Sequence, residues 1–173
     1  RQRMILWHTG VTLVLFLWIF KDRNADLRFL LIGSLIPDIV DKFLYLVLIT
    51  DDSRTYGHTL IFAVVVLFII MIGTKRDNEN RKNYLLIPIA LLFHLLLDEM
   101  WMFKETLFWP LFNASFSINM SSADSLLDLL IISVGKIEIL LKEIIGAVCF
   151  FISLNHEKSF KNNLSNFFKS GKY

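Results

Sequence analysis

Cysteine and proline are almost missing from this chain, and several familiar signatures are missing altogether. The single cysteine, Cys149, lies inside an apolar run. That excludes an intramolecular disulfide and any thiolate metal motif. Only three prolines interrupt 173 residues, and no internal repeat or low-complexity block is visible. The net charge is just +2, and the basic residues sit in short flanks between apolar runs, so nothing points to nucleic acid. The first apolar run, residues 4–20, lacks an A-x-A-like cleavage site and holds His8 near its start, and it therefore reads as a span rather than a leader.

What the chain has in abundance is apolar sequence. Hydrophobic residues make up 55% of it and the mean hydropathy is +0.56, too apolar for a soluble domain of this length. Several windows approach the roughly 20 apolar residues that cross a bilayer core. Five spans are expected, at 4–20, 28–50, 58–73, 84–101 and within 126–154, most simply 137–154. Open loops and sheet edges cannot sit in lipid, so the spans should be helices. The expected fold class is all-α, an integral membrane helical bundle. Residues 1–155 form one membrane-embedded domain and 156–173 a basic cytoplasmic tail.

Basic residues set an orientation. With the N-terminus outside, the inner side holds Lys21, Arg23, Arg28, Lys75, Arg76, Arg81, Lys82, Lys158, Lys161, Lys169 and Lys172. The outer side holds only Arg1, Arg3, Arg54 and Lys104. The asymmetry favours the N-terminus outside and the C-terminus in the cytoplasm. Residues 126–143 contain Asp128, Lys136, Glu138, Lys142 and Glu143 and read as an amphipathic interfacial helix, with Glu138 and Lys142 at pairing distance along it. Asn113 and Asn119 occupy N-x-S sequons in the expected outer loop, which permits glycosylation without requiring it.

Against this background the ionisable residues inside spans stand out, since each costs at least roughly 2.5–3.5 kcal/mol to insert. They are His8, Asp38, Asp41, Lys42, His58, His94 and Asp98, with Glu99 beside the last. In "ALLFHLLLDEMW", residues 90–101, His94 and Asp98 are one turn apart and share a helix face. Asp38 and Asp41 share another face in "GSLIPDIVDK", just after Pro37, which should kink or break its helix. Gly33 and Ser34 would let a neighbouring backbone approach closely. Singly, a buried His or Asp in a bundle is most often a satisfied hydrogen-bonding group, and Asp41 with Lys42 could be an ordinary ion pair. Together, three histidines and two or three aspartates on four helices form a mixed nitrogen and oxygen set that suits Zn²⁺, Mn²⁺ or Fe²⁺. Glu99 points off the His94–Asp98 face and reads as a bystander. Straight helices would separate Asp38 from His58 by roughly 15–20 Å, so a break at Pro37 or a deeper start of the third span is required.

The pattern resembles the YdjM-type membrane-bound, metal-dependent hydrolases. The matching pieces are His8, "GSLIPDIVD" (Gly33, Pro37, Asp38, Asp41), "RTYGHTL" (Arg54, His58, Thr59), "HLLLDEMW" (His94, Asp98) and "LFWPL" (Trp109, Pro110), covering roughly residues 4–111. That family is similar, in its order of ligands, to zinc-dependent phospholipase C, which implies a phospholipase C-like metal-site arrangement. The resemblance implies His8, Asp38, His58, His94 and Asp98 as metal ligands. The further downstream ligands of phospholipase C have no equivalents here, and His156 lies in the tail, so one or two divalent ions are expected, zinc first, with manganese or iron as alternatives.

Phosphoester hydrolysis is the reaction that fits such a set. Asp41, Asp98 and Arg54 are the expected catalytic residues: Asp98 bridging cations, Asp41 holding the attacking water or orienting a ligand, and Arg54 clamping a phosphate oxygen. An arginine facing lipid headgroups is the plainer alternative for Arg54. A site in the outer half of the inner membrane implies a lipid or lipid-linked phosphate substrate, entering past Trp101, Trp109 and the phenylalanines around them. Two other readings use the same ligands, an intramembrane metal-ion transporter or sensor and a non-catalytic membrane protein.

Overall fold

The computed structural model describes residues 4–22, 25–47, 50, 54–112, 116, 137–154, 165, 169 and 171. Its regular structure is helical throughout, with no strand among the described residues. The principal helices are α1 (Ile5–Phe20), α2 (Leu27–Leu46), α3 (Leu60–Gly73), α4 (Arg81–Tyr84), α5 (Leu86–Leu97), α6 (Lys104–Leu107) and α7 (Ile137–Leu154). Two 3₁₀ turns, Tyr56–His58 and Met100–Met102, precede α3 and α6.

Local chemistry explains the boundaries. Asp26 caps α2 by accepting from the Arg28 amide, and Thr59 caps α3 by accepting from the Phe62 amide at 3.1 Å. α1 ends on Lys21 and α5 is followed by Glu99, both in the left-handed region, which turns the chain sharply after each helix. α2 runs through Pro37 without interruption, so the expected break there does not occur.

α1 packs along α7 and α2, α2 lies against α5, and α5 is flanked on its other side by α3. Gly10 of α1 faces Gly146 of α7 so closely that a Cβ on either would sit inside the partner's backbone. Gly33 plays the same part between α2 and α5, where a Cβ would lie 2.7 Å from the Ile87 carbonyl. One apolar cluster, including Leu13, Phe16, Leu27, Leu30, Ala90 and Phe93, joins α1, α2 and α5; a second, of Ala63, Leu91, Leu95 and Met100, joins α3 to α5.

The outside of the bundle carries many large apolar side chains. In α3 only Ala63 is fully buried, while Phe68, Ile69 and Ile72 are exposed, the last by 84%. Conversely, His8, Thr12, Ser34, Asp41, His58, His94 and Asp98 are buried. The five expected spans reappear as helices at nearly the expected positions, but among the described residues no helix is long and apolar enough to cross a membrane. α1, α3 and α5 have 16, 14 and 12 residues. The longer α2 contains Arg28, Asp38, Asp41 and Lys42, and α7 contains Glu138, Lys142 and Glu143. Glu138 and Lys142 do pair, at 3.0 Å. Residues 126–136, both sequons and His156 lie outside the described residues.

Candidate metal centre

The polar interior converges at one end of the bundle, where α1 begins, α2 nears its end and α5 stops. His8 leaves α1 in its first turn, His94 lies in the last turn of α5, and Asp98 is that helix's C-cap. Asp38 and Asp41 come from α2, and His58 closes the 3₁₀ turn before α3. The His8 and His94 rings stack at 4.3 Å, and the His58 ring meets His94 edge-on at 5.1 Å.

Each imidazole has one nitrogen committed to an acceptor outside the cluster. His8 Nδ1 donates to the Met4 carbonyl at 2.6 Å, His94 Nδ1 to the Ser34 carbonyl at 2.7 Å, and His58 Nδ1 to Asp41 Oδ2 at 2.7 Å. A carbonyl can only accept, so the Nδ1 atoms of His8 and His94 must carry the proton. Asp41 accepts from the Thr55 and Gly57 amides and from the Thr55 hydroxyl as well, which assigns His58 the same tautomer. In the neutral imidazoles, all three Nε2 atoms then present lone pairs to one another and to two carboxylates.

Those lone pairs face only acceptors. His94 Nε2 lies 3.2 Å from His58 Nε2, His8 Nε2 lies 3.1 Å from Asp98 Oδ1, and His58 Nε2 lies 3.3 Å from Asp98 Oδ2 and 3.5 Å from Asp38 Oδ1. Acceptors packed this closely call for positive charge among them, which a metal ion, protons on the imidazoles or the Arg54 guanidinium can supply. Two overlapping triads, His8–His94–Asp98 and Asp38–His58–His94, bring one ligand atom from each residue within 4.8 Å of the others. Nitrogen and oxygen donors with each Nδ1 held from behind are what a divalent metal site requires. The residues present fit a metal ion.

His58 reaches this cluster because the chain folds back. After α2 ends, residues 54–58 return alongside it, and α3 starts only at Leu60. Of the two ways to close the gap between Asp38 and His58, the structure uses the deeper start of the third helix. Gly57 makes the return possible, since a Cβ there would lie 2.6 Å from the Pro37 carbonyl oxygen and 3.0 Å from Asp41 Oδ1. Asp41, wholly buried, is the staple that fastens this turn to α2.

Arg54 points inward. Its guanidinium pairs through Nη2 with Asp98 Oδ2, and its side chain is 19% exposed. Asp38, with 23% of its side chain exposed, is the least covered of the candidate ligands. Glu99 lies 4.0 Å from Lys142 of α7 and stays out of the cluster. Trp109, in a cis peptide bond to Pro110, packs edge-on against Tyr56 at 5.0 Å, two residues from Arg54.

Four contributors escape a reading of side-chain types alone: the carbonyls of Met4 and Ser34, Thr55 and Gly57. Carbonyls leave no mark in a sequence. Thr55 and Gly57 do lie inside the "RTYGHTL" motif, and a glycine next to a candidate ligand is a readable sign of a tight turn.

Taken together, the fold and the cluster define an all-helical bundle with a buried His/Asp centre able to hold a metal ion. The profile of the YdjM inner membrane protein family matches residues 5–159, and the chain belongs to that family. Neither a curated protein nor a solved structure matches it.

Proposed function

We propose that the chain is a membrane-embedded, metal-dependent hydrolase acting on a phosphoester of a lipid or lipid-linked substrate. The observation that carries the reading is the inward convergence of three imidazole Nε2 atoms and two carboxylates, each imidazole held from behind by its Nδ1 bond. His8, His94 and Asp98, or Asp38, His58 and His94, would hold the ion, zinc by preference. A divalent cation bound there supplies Lewis acidity, polarising a phosphoryl oxygen and making water acidic enough to attack near neutral pH.

The chain's own residues do the rest. Asp41 fixes the His58 ring and, with every acceptor direction engaged, acts by orienting that ligand rather than by holding water. Arg54 brings a planar, two-pronged donor of the kind that recognises phosphate oxygens. Trp101 and Met102, which follow Asp98 within a few residues, and Leu111 and Phe112 beyond α6 are exposed, giving the approach an apolar rim suited to acyl or prenyl chains. Membrane placement is supported by the family and by the apolar exterior. Turns adjoining the short helices would complete the crossing, with the centre in the outer half and the tail in the cytoplasm.

The test is turnover of lipid phosphoesters by the purified protein with Zn²⁺ or Mn²⁺. Activity should vanish with Asp98→Asn and with His94→Ala. Metal-dependent turnover that survived both substitutions would remove this centre from catalysis, and cation flux into vesicles without hydrolysis would favour a transporter.

A further inference from the structure

The ion pair between Arg54 and Asp98 has a consequence for how the centre fills. Asp98 Oδ2 is the oxygen that also lies 3.3 Å from His58 Nε2, inside the cluster of lone pairs. The guanidinium is thus a positive charge already placed where a metal ion would draw on the same carboxylate. The guanidinium pairs with Asp98 alone, while Asp38 lies in the cluster and Asp41 behind His58, so with neutral imidazoles and ionised carboxylates the cluster and its Asp41 support together keep two negative charges in excess. One divalent cation balances them. A carboxylate oxygen already paired with one cation has less negative charge to offer a second, so the ion and Arg54 compete for Oδ2.

We infer that Arg54 is a built-in counter-cation for Asp98 that a divalent metal ion displaces, and that metal binding thereby hands the guanidinium to a phosphate. The inference rests on the metal centre of the proposed function, and it specifies how that centre is regulated. Arg54 sits in the chain four residues before His58, in the stretch 54–58 that folds back along α2, and its side chain is still partly open to the outside. Released from Asp98, it remains beside the ion with two parallel N–H donors available to an anion. Metal and phosphate then favour each other, and by linkage the effect is reciprocal.

Zn²⁺ affinity of the purified full-length protein, measured by competition with a chromophoric chelator, tests this without any assay of activity. Arg54→Gln should bind Zn²⁺ roughly ten- to hundredfold tighter than the wild type, the range set by one charge-assisted hydrogen bond. Inorganic phosphate should tighten Zn²⁺ binding by the wild type and do so far less in the variant. Arg54→Lys keeps the charge but loses the fork, and should fall between the two; it decides the matter if the glutamine variant does not fold. Equal or weaker Zn²⁺ binding by the variants overturns the displacement while leaving the metal centre standing. No Zn²⁺ binding by the wild type overturns both. A metal-loaded structure gives an independent check: Arg54 still seated on Asp98 Oδ2 would sink the inference.

Discussion

Asp41 stands behind the cluster rather than inside it. It is wholly buried, and its two oxygens gather the Thr55 and Gly57 amides, the Thr55 hydroxyl and the His58 ring. Asp41→Asn keeps the shape but replaces one oxygen with an NH₂ group that faces donors. His58 should then lose its fixed tautomer, and Zn²⁺ affinity should fall about 10–100-fold, the usual cost of losing the partner behind a ligand. Equilibrium dialysis followed by elemental analysis measures this, and unchanged affinity would show that His58 needs no such support. The pairing of His94 with Asp98 was readable from spacing alone, because four residues on a helix restore the same face. The role of Arg54 was not, because a loop arginine faces headgroups or an interior carboxylate with equal ease until the fold is known.

At the scale of elements, the turn Tyr56–His58 and the start of α3 are the sensitive joint. Gly57→Ala places a methyl group against the Pro37 carbonyl and Asp41. Overpacking of this kind costs about 1–3 kcal/mol, and here the turn must also lift away from α2, so thermal stability and Zn²⁺ affinity should drop together. Thr59→Ala separates the two effects. It removes the cap on the Phe62 amide at a cost of about 1 kcal/mol, lowering the melting temperature in detergent with little change in Zn²⁺ affinity. If both variants lost metal equally, the turn would not be the positioning element. Helix positions were legible because uninterrupted apolar runs between polar flanks leave few alternatives. Their lengths were less so. The run 28–50 yields a helix that stops at Leu46, and 84–101 is divided by the turn at Leu85, the end of α5 and the left-handed Glu99. Such interruptions are set by packing and capping, to which hydropathy is blind.

At the scale of the whole molecule, polarity is distributed unlike that of a water-soluble domain: among the described residues imidazoles and carboxylates are buried beside the apolar clusters, while many isoleucines and phenylalanines are exposed. The physical expectation is that the protein stays in the membrane fraction through an alkaline carbonate wash and leaves it only with detergent. Release by carbonate would contradict embedding. The family match agrees with this expectation, and the all-helical architecture was implied by the requirement that backbone polar groups be satisfied within each segment.

The meshing of Gly10 with Gly146 joins helices near opposite ends of the chain. His8 is the first of the candidate ligands in chain order, yet its helix has no α7 to lie against until residue 146 and its neighbours have been made. The earliest candidate ligand is therefore the last to be secured, and a metal ion that uses it is expected to enter after α7 has been made rather than before.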